Sequence, residues 1–378
     1  MIVEQKFNKI QYYLDNVQLL WIKFKYGDFT MINWVDIMNS KERIKKIFSN
    51  GGADRVACFS GMGNVTVEGL KKYDYAFYEI HLDPEKMANS ACTTYELYGF
   101  ECAIAPFDLG IEAEVLGAEM NFYTHKGKDD IVYPTVKKKA IEEPGDLSIP
   151  ESIGERGRIP VVINALEIMQ NKVGDEVPVA TYILGPYTLA GQIMDLEKLL
   201  KMSFKKPDEI NALLSSLAEF LVELGRTYFD SGIDYLTVRE MGAPTDVLSP
   251  RMFRNLILPH LKEVFSELKG PTVLHICGDT NIIVDLMWES GATAISVEQK
   301  NDVAKTREKL GDEAIIFGNI DPFGTLVQGT PDDIRNAVKR AIEGGVDSVW
   351  PGCDIWPAVP PENMIAFVKA VEEFGKRG

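Results

Sequence analysis

His275 and Cys277 stand two residues apart at the end of the run Thr272-Val273-Leu274-His275-Ile276-Cys277-Gly278-Asp279. Val273, Leu274 and Ile276 favour a buried strand, and Gly278 ends it. Side chains alternate along a strand, so the imidazole and the thiol point to one side at its carboxyl end. Together they offer two of the three protein ligands of a catalytic zinc site. Cys353 closes another short apolar run, Val349-Trp350-Pro351-Gly352-Cys353, and is the candidate third ligand. A bare His-x-Cys is a weak motif, and a core histidine beside a buried free cysteine is the competing account of it. The choice turns on whether the fold brings all three residues to one rim.

From Arg55 onward, short β-rich runs alternate with longer helical segments. The runs are 55–60, 102–107, 177–184, 235–238, 272–277, 292–298, 314–319 and 348–353. Between them lie patterns such as 208–229, where Ile210, Leu213, Leu214, Leu217, Phe220, Leu221 and Leu224 recur at helical spacing. Glycines at 232, 291 and 345 stand at the joints between a helix and the strand that follows. Eight β-then-α units predict an α/β chain closed into a (β/α)8 TIM barrel, with an open doubly wound sheet as the alternative. Chemistry in a barrel sits at the carboxyl ends of the strands. His275 and Cys277 end the fifth run, Glu298 the sixth and Cys353 the eighth, so the barrel would turn all four toward one cavity. Ligands drawn from separate strands leave an open coordination position, which marks a catalytic rather than a structural zinc.

Residues 1–50 read as a helical extension packed on the barrel, with Ser40 as a helix cap. Residues 51–378 read as one barrel domain. The irregular stretch 108–176, with Pro134, Pro144, Gly145 and Pro150, reads as an insertion over the barrel mouth.

The 378 residues are 46% hydrophobic and 25% charged, ample for a large core. A net charge of −16 argues against nucleic acid or an anionic membrane as partner, since both need clustered Lys and Arg. Five cysteines at irregular spacing imply no disulfide framework. Cys58 and Cys102 lie in apolar runs and Cys92 in a helical pattern, so these three read as core. His81, His125 and His260 lack ligand spacing. The amino terminus has no basic-then-apolar signal layout, and no apolar run approaches the ~20 residues that span a bilayer. A cytoplasmic setting with reduced thiols is expected.

At this point the residues resemble the uroporphyrinogen decarboxylase superfamily. Gly185-Pro186-Tyr187-Thr188-Leu189, Gly318-Asn319-Ile320-Asp321-Pro322 and the tail Cys353…Pro357…Pro360-Pro361-Glu362-Asn363 carry the likeness, which covers about residues 40–378. Leu274-His275-Ile276-Cys277-Gly278-Asp279-Thr280, Pro351-Gly352-Cys353 and the segment from Ala105 to Gly117 are similar to its zinc methyltransferase branch. That branch includes methylcobalamin:coenzyme M methyltransferases and relatives that demethylate other compounds.

The resemblance implies Zn2+ held by His275, Cys277 and Cys353. It also implies methylcobalamin or cobalamin carried by a separate corrinoid protein that docks transiently, and a small-molecule thiol acceptor or methyl donor. Glu298 either completes the resting zinc shell or is a salt-bridged rim acid. Glu112 and Glu114 recur in the branch's pattern and are expected to cap or to hold the lid. Asp279 is expected to hold a loop or a ligand. A deep cavity is expected at the strand ends, flanked by 108–176 and by Trp356-Pro357-Ala358. Two other readings are a metal-free porphyrinogen decarboxylase and a non-catalytic binding protein of the same fold. The decarboxylases carry an early Arg-Gln-Ala-Gly-Arg segment that grips substrate carboxylates. Ser60-Gly61-Met62-Gly63-Asn64 stands there instead, which argues against decarboxylation.

Overall fold

The eight apolar runs become eight parallel strands in one sheet. A computed structural model describes residues 38–377, so residues 1–37 of the extension expected over 1–50 lie outside the described residues. In chain order, β1 (Ala57–Cys58) and β2 (Ala103–Ile104) are followed by a small antiparallel pair, β3 (Glu119–Asn121) and β4 (Thr135–Lys138). Then come β5 (Val179–Leu184), β6 (Tyr235–Arg239), β7 (Thr272–Ile276), β8 (Ala294–Val297), β9 (Ile316–Ile320) and β10 (Ser348–Pro351). The sheet runs β2-β5-β6-β7-β8-β9-β10-β1, so successive strands are neighbours and the first pairs with the last. Ala57 faces Ser348 and Cys58 faces Val349 in parallel register. That closure, with helices between strands, is the barrel expected from the sequence.

On the β1–β2 side, Glu101 does the joining. Its backbone N–H donates to Cys58 O at 2.9 Å. Its buried carboxylate accepts from Cys58 N–H at 2.7 Å, from Arg43 at 2.6 Å and from Arg55 at 2.9 Å. With two guanidinium partners the buried charge is matched.

Every residue of β5, β6, β7, β8 and β10 is buried, as continuous apolar runs in a two-sided parallel sheet require. The barrel interior is filled by aromatic rings. Tyr235 and Phe317, from the amino-terminal halves of β6 and β9, meet Phe59, Trp350 and Phe48, with Phe317 and Trp350 stacked at 4.8 Å between centroids. Each such side chain contributes about 1.5–3 kcal/mol of burial. Gly232 (φ 89°) and Gly345 (φ 96°) take the left-handed conformation at their helix-to-strand joints, where a Cβ would be strained.

Two sequence expectations shift. The helix Ser40–Phe48 is capped by Asn39 rather than Ser40: Asn39 Oδ1 accepts from Glu42 N–H at 2.8 Å, and the Glu42 side chain returns the bond to Asn39 N–H. The box needs an acid three residues beyond the cap, and only Asn39 has it. Ser40 Oγ instead donates to Glu101 at 2.9 Å. The irregular stretch also ends earlier than expected. Residues 159–173 form the helix Ile159–Val173 between β2 and β5, burying Val162, Leu166 and Met169. The prolines and glycines before it obscured where helical spacing begins. Among the described residues, no helix is long and apolar enough to cross a membrane.

Candidate metal centre and its cavity

Strand alternation sends His275 and Cys277 to the same side at the end of β7, and Cys353 arrives two residues beyond β10. His275 Nε2 lies 3.1 Å from Cys277 Sγ, and Cys277 Sγ lies 3.4 Å from Cys353 Sγ. One ligand atom from each residue falls within 4.8 Å of the others. The other imidazole nitrogen is held from the next strand. Ser296 is the register partner of His275 across β7 and β8, and its Oγ lies 3.0 Å from Nδ1. With Nδ1–H donating to Ser296, Nε2 keeps its lone pair toward the two sulfurs.

The opposite neighbour is Arg239, register partner of His275 across β6 and β7. Its fully buried guanidinium lies over the Tyr182 ring at 4.7 Å and donates to both carboxylate oxygens of Asp354, Nη1 to Oδ1 at 3.0 Å. Arg239 Nη2 also lies 3.9 Å from Cys353 Sγ. Gly63 N–H donates to Asp354 Oδ1 at 2.8 Å, so the loop after β1, the end of β6 and the residue after Cys353 are tied together. The hydrogen bond from Cys277, with His275 and Arg239 beside it, holds Cys353 well below the usual thiol range; the same bond and burial push Cys277 above it.

Glu298 does not join this cluster of three. Its carboxylate accepts the backbone N–H of Gly278, the residue after Cys277, and so fixes the turn that aims the thiol. Asp279 holds a loop: its side chain accepts from Asn281, and its carbonyl oxygen accepts from Thr245 N–H at 3.1 Å and Oγ–H at 2.8 Å. Glu112 is buried and accepts from Leu184 N–H at 2.9 Å, which anchors the helix Ile111–Val115 to the end of β5. Burial pushes the Glu112 carboxyl up to about 7, against the pull of that N–H. Glu114 pairs with Arg158 at 2.7 Å. Cys58, Cys92 and Cys102 are buried, as their apolar settings suggested.

Sequence reasoning missed Ser296, Arg239 and Asp354. Arg239-Glu240 at the end of an otherwise apolar run was the available signal, because charge at a barrel strand's carboxyl end marks the site rim. Glu240 is also buried, and the N–H groups of Tyr187 and Thr188 donate to it at 3.0 and 2.8 Å, which explains the Gly-Pro-Tyr-Thr turn. His81, without ligand spacing, proves to be part of a buried ionic cluster. Its Nδ1 lies 3.0 Å from Asp108, which Arg158 also grips at 2.7 and 3.0 Å.

A cavity of about 550 Å³ opens beside Cys353. The loop after β2, the β3–β4 pair and residues 353–357 line it, including Trp356 and Pro357. This is the cavity expected at the strand ends, with Ala358 outside its wall.

The parallel barrel thus brings a His-x-Cys and a distant Gly-Cys together at its carboxyl rim. The chain belongs to the uroporphyrinogen decarboxylase (URO-D) family, whose model matches residues 39–374. It is 33% identical to methylcobamide:CoM methyltransferase MtaA of Methanosarcina barkeri over 335 residues, 88% of this chain and 98% of that protein. A solved methyltransferase from Methanosarcina mazei superimposes with a TM-score of 0.84 at 32% identity, covering 89% of this chain and 99% of its own. The uroporphyrinogen decarboxylase of Cellvibrio japonicus is 24% identical, over 79% of this chain and 85% of that protein.

Proposed function

We propose that the chain is a zinc-dependent methyltransferase that moves a methyl group between a corrinoid and a small-molecule thiol or methylated substrate. The carrying observation is the convergence of His275 Nε2, Cys277 Sγ and Cys353 Sγ at the mouth of the barrel, beside an open cavity. Tetrahedral zinc with Zn–S of about 2.3 Å and Zn–N of about 2.0–2.1 Å spaces its ligand atoms roughly 3.5–3.8 Å apart. Separations of 3.1 and 3.4 Å sit close to that, and the donor set is of the borderline-soft kind that zinc prefers. The similarity to methylcobamide:CoM methyltransferases supports the same reading.

His275, Cys277 and Cys353 would hold the ion and leave one position open. When bound, zinc supplies a Lewis acid that lowers the pKa of a thiol or polarises a methylated heteroatom. The remaining work falls to this chain's own residues. Ser296 fixes the imidazole tautomer, Glu298 fixes the Cys277 turn, and the Arg239–Asp354 pair fixes Cys353. In the thiol direction the substrate loses its proton to solvent, and the sulfur lone pair forms the S–CH3 bond. The electrons of the cobalt–carbon bond stay on cobalt, taking methylcob(III)alamin to cob(I)alamin. Glu298 positions rather than ligates in this scheme.

The corrinoid arrives on a separate protein and leaves after each transfer, because a methyl carrier must visit its other enzyme. We place the protein in the cytoplasm, where its thiols stay reduced. Porphyrinogen decarboxylation is disfavoured by charge. Arg239 and Arg158, the buried arginines beside the mouth, are each matched to carboxylates and offer no cluster for a polyanion.

The test is visible spectroscopy with catalytic amounts of zinc-loaded enzyme. Methylcobalamin with a thiol, or cob(I)alamin with a methylated substrate, should change spectrum, and His275→Ala should abolish the change. Full zinc occupancy with no turnover on any corrinoid would overturn the reading.

A further inference from the structure

The cavity beside Cys353 also constrains what the substrate carries, an inference that rests on the methyltransferase reading above. Its wall is formed by Phe107, Met120, Tyr133, Val136, Ile355 and Trp356, among others. Among the described residues, no lysine or arginine lines it. Its two carboxylates are already spoken for. Asp108 is gripped by Arg158 at 2.7 and 3.0 Å, and Asp354 by Arg239, so neither offers a free charge to a ligand. The relatives compared above are named for coenzyme M, an anionic thiol, and an anionic group held away from the Cys353 end of this cavity would lose its hydration without gaining a cationic side chain. A cation would meet carboxylates whose charge is matched. An uncharged apolar group gains from every wall, and flat rings at Tyr133, Phe107 and Trp356 suit an aromatic one. The volume of about 550 Å³ is far more than a lone methyl group or a two-carbon thiol needs.

We propose that this cavity binds an uncharged, apolar group of aromatic size, and that the enzyme's methyl donor or acceptor carries such a group. For a methoxyarene, the methyl–oxygen bond breaks and the methyl group passes to cobalt(I), which provides the electron pair. The phenolate leaves and takes a proton from solvent. The oxygen end lies toward Cys353, and the ring occupies the space between Tyr133, Val136 and Trp356.

Isothermal titration of the zinc-loaded full chain with anisole, ethanesulfonate (an anion with no thiol to bind the metal) and tetramethylammonium tests this without turnover. Anisole should bind at least tenfold more tightly than either ion. Val136→Lys, on the partly exposed strand β4, should weaken anisole tenfold or more and strengthen the sulfonate, with zinc content unchanged. Trp356→Ala, at a half-exposed rim position that does not support the core, should also weaken anisole. Tighter binding of either ion to the unaltered chain overturns the assignment. Methyl transfer between cobalamin and either anisole or 2-mercaptoethanesulfonate, assayed separately, separates the two readings. Transfer confined to the anionic thiol contradicts the cavity assignment and leaves the methyltransferase standing. Tight anisole binding without any transfer upholds the cavity assignment and contradicts the methyltransferase.

Discussion

Cys277 and Cys353 are 76 residues apart in the chain, yet their sulfur atoms lie 3.4 Å apart. Two strands of the barrel, β7 and β10, carry them to one rim, and no local motif could. A disulfide requires the sulfurs to close to about 2.05 Å with a Cβ–S–S–Cβ dihedral near about 90°. Metal-free protein treated with a mild oxidant should therefore lose two free thiols, those of Cys277 and Cys353. Cys58, Cys92 and Cys102 are buried and should stay reduced. Peptide mass mapping checks the pairing, and five intact thiols after oxidation would count against the geometry.

Removing one proposed ligand should release the metal without disturbing the barrel. Cys353→Ala is expected to lose most bound zinc while far-UV circular dichroism stays unchanged. Glu298→Gln should keep the zinc, because its amide oxygen can still accept the Gly278 N–H. Metal analysis of the two variants side by side decides between Glu298 as ligand and Glu298 as support for the turn.

The Asp108 cluster should dominate acid stability near the mouth. Burial alone would push Asp108 up, but Arg158 and His81 hold it well below the usual carboxylate range. A carboxyl whose folded pKa is depressed stabilises fully above its unfolded value of about 3.9, and that stability is lost as pH falls toward the folded value. Arg158→Met leaves a buried carboxylate short of its cation and should cost about 3–5 kcal/mol at pH 7. Urea unfolding at pH 7 and pH 3 should show the gap between variant and native chain narrowing on acidification.

Glu112 works in the opposite sense. Its carboxyl is pushed up to about 7 by burial, so the folded state holds a proton that the unfolded state has released. Stability should fall as pH rises from about 4.5 toward 7, by up to about 1.4 kcal/mol per pH unit, and level off above. Glu112→Gln keeps an acceptor for Leu184 N–H and removes the titration. The variant should gain stability over the native chain at pH 8 and not at pH 5, read by thermal melts at both.

All eight strands were legible because a parallel barrel strand is buried on both faces, which leaves a mostly apolar run, ended by glycine at Gly185, Gly278 and Gly352. His275 and Cys277 were legible for the same reason, since strand alternation is local. Ser296 and Arg239 were not. Each touches its functional neighbour across a strand pair, and register emerges only when β6, β7 and β8 are laid side by side. Asp354 follows Cys353 directly, but its role depends on Arg239 and Gly63, which arrive from far along the chain. The length of the irregular stretch was misjudged because Gly154 and Gly157 stand immediately before the helix Ile159–Val173 and blur its start.

X-ray absorption at the zinc edge of the loaded protein, with and without substrate thiol, tests the central claim most directly. His275, Cys277 and Cys353 with one exchangeable position require two sulfurs at about 2.3 Å, one imidazole nitrogen and one solvent oxygen before the thiol is added. A third sulfur should enter the shell afterwards. A shell that is the same before and after, or one that already holds four protein ligands, would contradict a catalytic zinc at this rim.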